Sequence, residues 1–177
     1  TAKMLGLGYP GGAMVEALAK NGNPLAYKFP LPLHGRAGCD FSFSGLKTAV
    51  RLKAEEIKNE QNAELNEQQK ADICASFQYT ATKSVLERTQ AAITLFKEQH
   101  PDGKHFVLAG GVAANQYIRS QLLNVLGQHA MELVAPPIKL CTDNAAMIAW
   151  AGIERFKLCL NDDLDFEPRA RWPLASG

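Results

Sequence analysis

The sequence has 177 residues, with 19 Lys plus Arg against 18 Asp plus Glu and a net charge of +1. That length supports one well-buried domain, and the charge balance carries no global argument for nucleic acid, so any basic footprint has to be local. The hydrophobic fraction is 46%, no apolar run approaches the roughly 20 residues of a membrane helix, and the four cysteines are scattered without a C-x-x-C, which argues against a zinc knot or disulfide framework and suits a reducing cytoplasm.

The chain opens at Thr1 without Met, and Thr1 to Leu5 reads as the middle of a helix with no capping pattern before it. The expectation is a fragment of a longer protein. A Gly- and Pro-rich loop, Gly6-Leu7-Gly8-Tyr9-Pro10-Gly11-Gly12, follows the helical tail. A short helix then runs from Gly12 to Ala19 and ends at Asn21-Gly22. Paired glycines at a helix start let a ligand rest on backbone N–H groups, although a plain helix–loop–helix turn is the better reading of these residues alone. Leu25 to Phe29 alternates like a strand, and so does Asp40-Phe41-Ser42-Phe43-Ser44-Gly45, with Phe on one face and Ser on the other. Ser44 is placed to cap a helix running from Leu46 to about Lys58. Lys47, Arg51, Lys53 and Lys58 make a modest basic cluster on that helix, readable as a solvated face or as a contact to phosphates.

Residues 59–70 are polar and read as a solvent-exposed connector or a helix start. From about Gln68 to Lys97 the apolar residues recur at three- and four-residue steps, which predicts a long helix burying one face, Cys74 included. His100-Pro101-Asp102-Gly103 is a turn. Next comes Val107-Leu108-Ala109-Gly110-Gly111-Val112-Ala113-Ala114-Asn115, an apolar strand running into paired glycines and then a helix over Gln116 to Leu126. Glycine lets a flat or charged ligand approach the main chain, and the helix N-terminus beyond it is positive. Asn115 can both donate and accept there. The segment reads as a nucleotide-binding turn or as an ordinary strand–Gly–helix junction. Met131 to Val134 is a second strand, stopped by Pro136-Pro137. Cys141-Thr142-Asp143-Asn144 leads into a small-residue helix from Ala145 to about Lys157, with Thr142 or Asp143 at its N-terminus. Asp143 reads as an N-cap, or alternatively as a carboxylate for a metal or phosphate site. Residues 161–177 look like an extended terminal tail containing Arg169-Ala170-Arg171-Trp172-Pro173.

The pattern as a whole is α/β, with turns able to bind a ligand on one side of a sheet. No P-loop, G-x-G-x-x-G or G-x-S-x-G occurs. The histidines, His34, His100, His105 and His129, include no i, i+4 pair for zinc, so a metal would need ligands from beyond this chain, with Asp143 its one obvious contributor here.

Four motifs in order, Gly6 to Gly12, Asp40 to Lys47, Val107 to Asn115 and Cys141 to Ala149, make the chain resemble the tRNA threonylcarbamoyladenosine synthesis transferases, once labelled glycoproteases. The wording is close to the bacterial members. The resemblance spans nearly the whole chain but only the C-terminal half of the family's protein. It implies an actin-like, sugar kinase-like ATPase fold with a mixed sheet flanked by helices, of which residues 1–177 would be most of the second lobe. It implies transfer of threonylcarbamoyl from threonylcarbamoyl-adenylate to N6 of the adenosine beside the tRNA anticodon. By motif, Gly12 and Glu16 would lie near the adenylate ribose, Gly110, Gly111 and Asn115 would form the adenosine turn, and Asp143 would bind one divalent metal, iron or zinc. The other two ligands in the family are a His-x-x-x-His pair in the first lobe. This chain lacks that pair and the acidic residue expected just before Thr1, so the resemblance implies half a site. It also implies tRNA and accessory proteins as partners (in bacteria a paralogous subunit and an ATPase), a cytoplasmic location and no membrane.

Three other readings compete. A related actin-like ATPase or sugar kinase would share the Gly-Gly turn but not the Asp40–Lys47 and Cys141–Ala146 stretches. A metalloprotease would need a metal site and general base that are not here. A non-catalytic interaction module describes the isolated chain more readily than a protein keeping both Asn115 and Asp143.

Overall fold

The computed structural model describes residues 1–168, 170 and 171. Arg169 and Trp172 to Gly177, much of the expected tail, lie outside the described residues. The chain divides into two compact units, Thr1–Thr142 and Asp143–Gly177. Among the described residues no helix is long and apolar enough to cross a membrane.

The first unit holds helices α1 (Gly11–Ala19), α2 (Ser44–Gln61) and α3 (Glu67–Gln99), strand β1 (His105–Val107), helix α4 (Gln116–Gln128) and strand β2 (Glu132–Val134). Short 3₁₀ turns cover Ala2–Leu5, Gly111–Ala114 and Ile138–Leu140. The strands pair in parallel, Phe106 opposite Leu133, and α4 is the crossover that a parallel pair requires. Among the described residues the sheet is therefore two-stranded and parallel, not mixed.

The long helix predicted from periodicity is α3, 33 residues from Glu67 to Gln99. It begins at a capping box: Asn66 accepts from the Gln69 N–H, and the Gln69 side chain accepts from the Asn66 N–H. Leu5, Val15, Ala19, Leu46, Val50, Ala54, Ile73 and Cys74 form one core where α1 and α2 meet the first half of α3. Burial pushes the Cys74 thiol up to about 11, as befits a cysteine packed as a hydrophobe. A second cluster, Ile93, Val125, Leu126 and Met131, joins the far end of α3 to α4, with Phe106 and Leu133 of the sheet against it. No disulfide links the four cysteines. Gly22, in the turn after α1, lies hard against α3, since a Cβ there would stand 2.1 Å from the Ala71 carbonyl oxygen.

Two predicted strands do not form. Residues 25–29 make a turn and an irregular segment because α3 side chains satisfy their backbone where a strand partner would. Asn23 N–H donates to the Asp72 carboxylate at 2.7 Å, Tyr27 N–H donates to Ser76 Oγ at 3.1 Å, and Ser76 Oγ donates to Asn23 O at 3.2 Å. Residues 40–43 likewise have no ladder partner. Their alternation survives only in that the Phe41 and Phe43 rings stack, with centroids 6.1 Å apart. The Ser44 cap also fails: α2 starts at Ser44 itself, with Phe43 in the N-cap position and no side-chain cap. The basic residues of α2 behave mostly as a solvated face, with Arg51 paired to Glu55, Lys53 to Glu56 and Lys58 to Glu64.

In the second unit, α5 (Ala145–Lys157) is capped by Asn144, whose side chain accepts from the Met147 N–H at 3.0 Å. The N-cap is thus one residue beyond Asp143, which leaves the Asp143 carboxylate out of that role. Arg155 pairs with Asp162 at 3.0 Å at the other end of the helix.

Candidate functional site

β1 ends at Val107, though the Leu108 N–H still donates to Val134 O at 3.0 Å. Gly110 then takes φ 82°, ψ 177°, a region open essentially to glycine alone. A Cβ on Gly110 or Gly111 would meet nothing within 4 Å. These glycines are thus demanded by backbone conformation at Gly110, and the main chain at both is accessible from outside. The 3₁₀ turn from Gly111 delivers Asn115 to the start of α4. Asn115 Oδ1 accepts from the Ile118 N–H at 2.9 Å, and Asn115 Nδ2 donates to Gln78 Oε1 on α3 at 3.0 Å.

α1 approaches this turn. The Glu16 carboxylate accepts from the Gln116 N–H at 2.7 Å, in the first turn of α4 where backbone donors lack intrahelical partners. Gly12 lies one turn earlier on the same helix, exposed, with open space where a Cβ would be. The structure therefore brings the Gly12–Glu16 helix and the Gly110–Asn115 turn together within the first unit. Asp143 belongs to the second unit and is exposed.

A cleft of about 400 Å³ adjoins the Glu16–Gln116 contact, lined by Glu16, Lys20, Gln78, Gln116, Tyr117 and Ser120 among others. Burial, and to a lesser degree nearby Tyr79, raises the Tyr117 phenol above its ordinary range, so it is a protonated donor at neutral pH. Behind the turn, Arg119 donates from Nε to Ala113 O and from Nη2 to Pro136 O at 3.1 Å, with Cys141 Sγ 3.3 Å away. One guanidinium thus ties the glycine turn to the segment that ends at Cys141.

Among the described residues no three His, Cys, Asp or Glu converge to hold a metal ion.

Reasoning from sequence did not single out Gln78, Tyr117 or Arg119. For Gln78 a signal existed: Ala71, Cys74 and Ala75 are buried at helical spacing, and a glutamine continues that row.

A family model described as tRNA N6-adenosine threonylcarbamoyltransferase (TsaD) matches residues 1–150. Curated relatives bearing that same description are about half identical. The one from Rhodospirillum rubrum is 52% identical over 173 residues, covering 98% of this chain and 47% of the relative. Those from Paramagnetospirillum magneticum and Methylocapsa acidiphila are 48% and 51% identical, each covering 98% of this chain and 49% and 48% of the relative. The chain spans about half the length of the curated relatives it matches.

Proposed function

The chain belongs to the tRNA N6-adenosine threonylcarbamoyltransferase family, and we propose that it supplies the adenosine-holding lobe of such an enzyme, in an actin-like two-lobe protein acting in the cytoplasm. The reaction proposed for the whole protein moves threonylcarbamoyl from threonylcarbamoyl-adenylate to N6 of the adenosine beside the tRNA anticodon. The N6 amine attacks the carbamoyl carbonyl, the N6–C bond forms, the C–O bond to phosphate breaks, AMP leaves, and the amine proton passes to solvent. The nucleophile belongs to tRNA, so no serine or cysteine nucleophile is needed from the protein.

The residues of this chain bind and orient. Gly110 and Gly111 expose main chain on which the adenosine of the adenylate rests, and Asn115 offers its amide beside it. Gly12 and Glu16 face the ribose from α1. Fixing the adenylate in this way lowers the barrier by placing the reactive carbonyl before the amine arrives. The observation that supports this reading is that the helix following the first motif meets the helix following the glycine turn, through Glu16 and the Gln116 N–H.

Asp143 is proposed as one ligand of an iron or zinc ion. The others would be the His-x-x-x-His pair of the half that this chain does not span. Such an ion supplies charge stabilisation at the reacting oxygens. A paralogous subunit and an ATPase are the proposed accessory partners.

The test is transfer of labelled threonylcarbamoyl to tRNA by the longer protein and by the 177-residue chain. The longer protein should transfer, and the chain alone should bind nucleotide weakly and transfer nothing. Asp143→Ala in the longer protein should lose metal and activity while melting normally. Transfer by the chain alone sinks the half-site reading, and a metal content equal to the unsubstituted protein removes Asp143 from the ligands.

A further inference from the structure

The carboxamide of Asn115 has one oxygen and two N–H donors, and its orientation decides what a ligand meets. The Ile118 N–H can be satisfied only by Oδ1, which it reaches at 2.9 Å. That single bond leaves the amide able to pivot about it. A second bond, from Nδ2 to Gln78 Oε1 at 3.0 Å, fixes the amide plane. The remaining Nδ2 hydrogen then has no acceptor among the described residues and is held in one direction.

Gln78 is suited to this task. It stands near the middle of α3, beside Ala75 and Cys74, which are 4% and 0% exposed, so its backbone is anchored in the core. Its carbonyl oxygen accepts from Thr82 Oγ1 at 2.7 Å. Its side chain lines the cleft with Glu16, Gln116 and Tyr117. Because Oε1 is turned to Asn115, the Gln78 amine is left without a partner among the described residues.

We propose that Gln78 is a positioning residue for nucleoside recognition: through Oε1 it locks the Asn115 amide so that one N–H is presented to an acceptor on the nucleoside. The proposal rests on the reading of Gly110–Asn115 as an adenosine turn. Gln78 acts through Asn115 and touches no reacting atom.

The experiment uses adenosine, a neutral probe, titrated into the full 177-residue chain and followed by ¹H–¹⁵N NMR. Gln78→Met keeps the length and loses the acceptor. Gln78→Glu keeps the acceptor. Gln78→Met should weaken adenosine binding about three- to tenfold, the worth of one oriented hydrogen bond. Gln78→Glu should restore affinity to within about twofold, which a merely structural role for the side chain would not require. Without ligand, Gln78→Met should also collapse the distinct exchange rates of the two Asn115 side-chain hydrogens. Gln78→Ser carries the same comparison if the methionine variant does not fold.

The outcomes separate the two claims. If Asn115→Ala weakens binding and Gln78→Met does not, the Gln78 proposal falls and the adenosine turn stands. If Asn115→Ala also leaves binding unchanged, or the unsubstituted chain does not bind adenosine, the adenosine turn falls and the proposal with it. If Gln78→Glu binds as poorly as Gln78→Met, the acceptor argument is overturned.

Discussion

Arg88 should be the most costly single side chain to remove among those that hold the loop preceding the Asp40–Lys47 motif. It is 3% exposed on α3. Its guanidinium donates to Arg36 O and Gly38 O at 2.8 Å each, to Leu33 O at 2.7 Å, and to the Glu87 carboxylate at 2.9 Å. Three carbonyls of an otherwise irregular loop thus converge on one planar cation, and Nε is left without a partner among the described residues. Arg88→Met keeps the length of the side chain and removes every donor. A hydrogen bond to a charged group contributes about 1.5–3 kcal/mol. Residues 34–38 are largely exposed, so their carbonyls regain water, and a net loss of about 1 kcal/mol per carbonyl is the better figure. The sum is about 3 kcal/mol, which for 177 residues corresponds to a fall in Tm of about 6–12 °C. Arg88→Lys, with a compact ammonium that cannot span three carbonyls, should fall about half as far. Circular dichroism melts check both. A Tm for Arg88→Met within about 2 °C of the unsubstituted chain would refute the view that this cation organises the loop.

The neighbouring carboxylate gives a pH prediction. The hydrogen bond from His34 Nδ1, then that from the Gly35 N–H, hold Glu87 down at about 2, against an ordinary 4.5. A depressed carboxylate contributes stability that is complete above pH 4.5 and is lost as pH falls toward 2. Glu87→Gln should flatten the melting temperature across that window, and an unchanged slope would count against the His34–Glu87 latch. At the glycine turn, Gly110→Ala should destabilise by about 1–3 kcal/mol through its backbone conformation. Gly111→Ala should melt like the unsubstituted chain yet bind adenosine more weakly, because a methyl there obstructs the approach to the main chain. Equal stability of the two variants would contradict the turn geometry, and unchanged adenosine affinity in Gly111→Ala would contradict the ligand's approach.

What could be read in the sequence divides along a physical line. Helical periodicity located α3 to within two residues at each end, because a helix that buries one face repeats its apolar residues every three or four positions. The Gly110-Gly111 junction was visible because paired glycines end an apolar run there, a pattern that marks a strand–helix turn whether or not a ligand sits on it. The strand readings at Leu25–Phe29 and Asp40–Gly45 failed for one reason: alternation reports which way side chains point, not what satisfies the backbone. In the first case Asp72 and Ser76 do so. The Asn66–Gln69 capping box is legible by its spacing inside the polar stretch over residues 59–70, and it fixes where the helix starts there. Ser44 looked like a cap because serine precedes a helix there, yet the helix absorbs it. No pattern in one sequence could have paired Asn115 with Gln78, or Arg88 with Leu33, Arg36 and Gly38, since these partners lie far apart in the chain and meet only when α3 is packed.

That last class of contact explains why α3 positions the candidate site. A strand placed in a wide sheet is held by its neighbours' backbones, and here only three residues each of β1 and β2 are held that way. Several other segments of the first unit are held by side chains rising from α3. Asp72 and Ser76 take the backbone at residues 23 and 27, Gln78 takes Asn115, and Glu87 with Arg88 takes the loop over residues 33–38. The five positions lie between residues 72 and 88 of one continuous helix, whose first half is clamped in the core with α1 and α2 and whose far end packs on α4. The glycine turn and the loop leading to the Asp40–Lys47 motif therefore share a common rigid support. A change in α3 that shifts the helix along its axis displaces both together, whereas loss of one polar contact releases one segment and leaves the other in place. Gln78→Met and Arg88→Met are for that reason independent perturbations: their effects on stability should add to within about 0.5 kcal/mol in the double variant, and strong coupling between them would show that the two segments are joined by something other than α3.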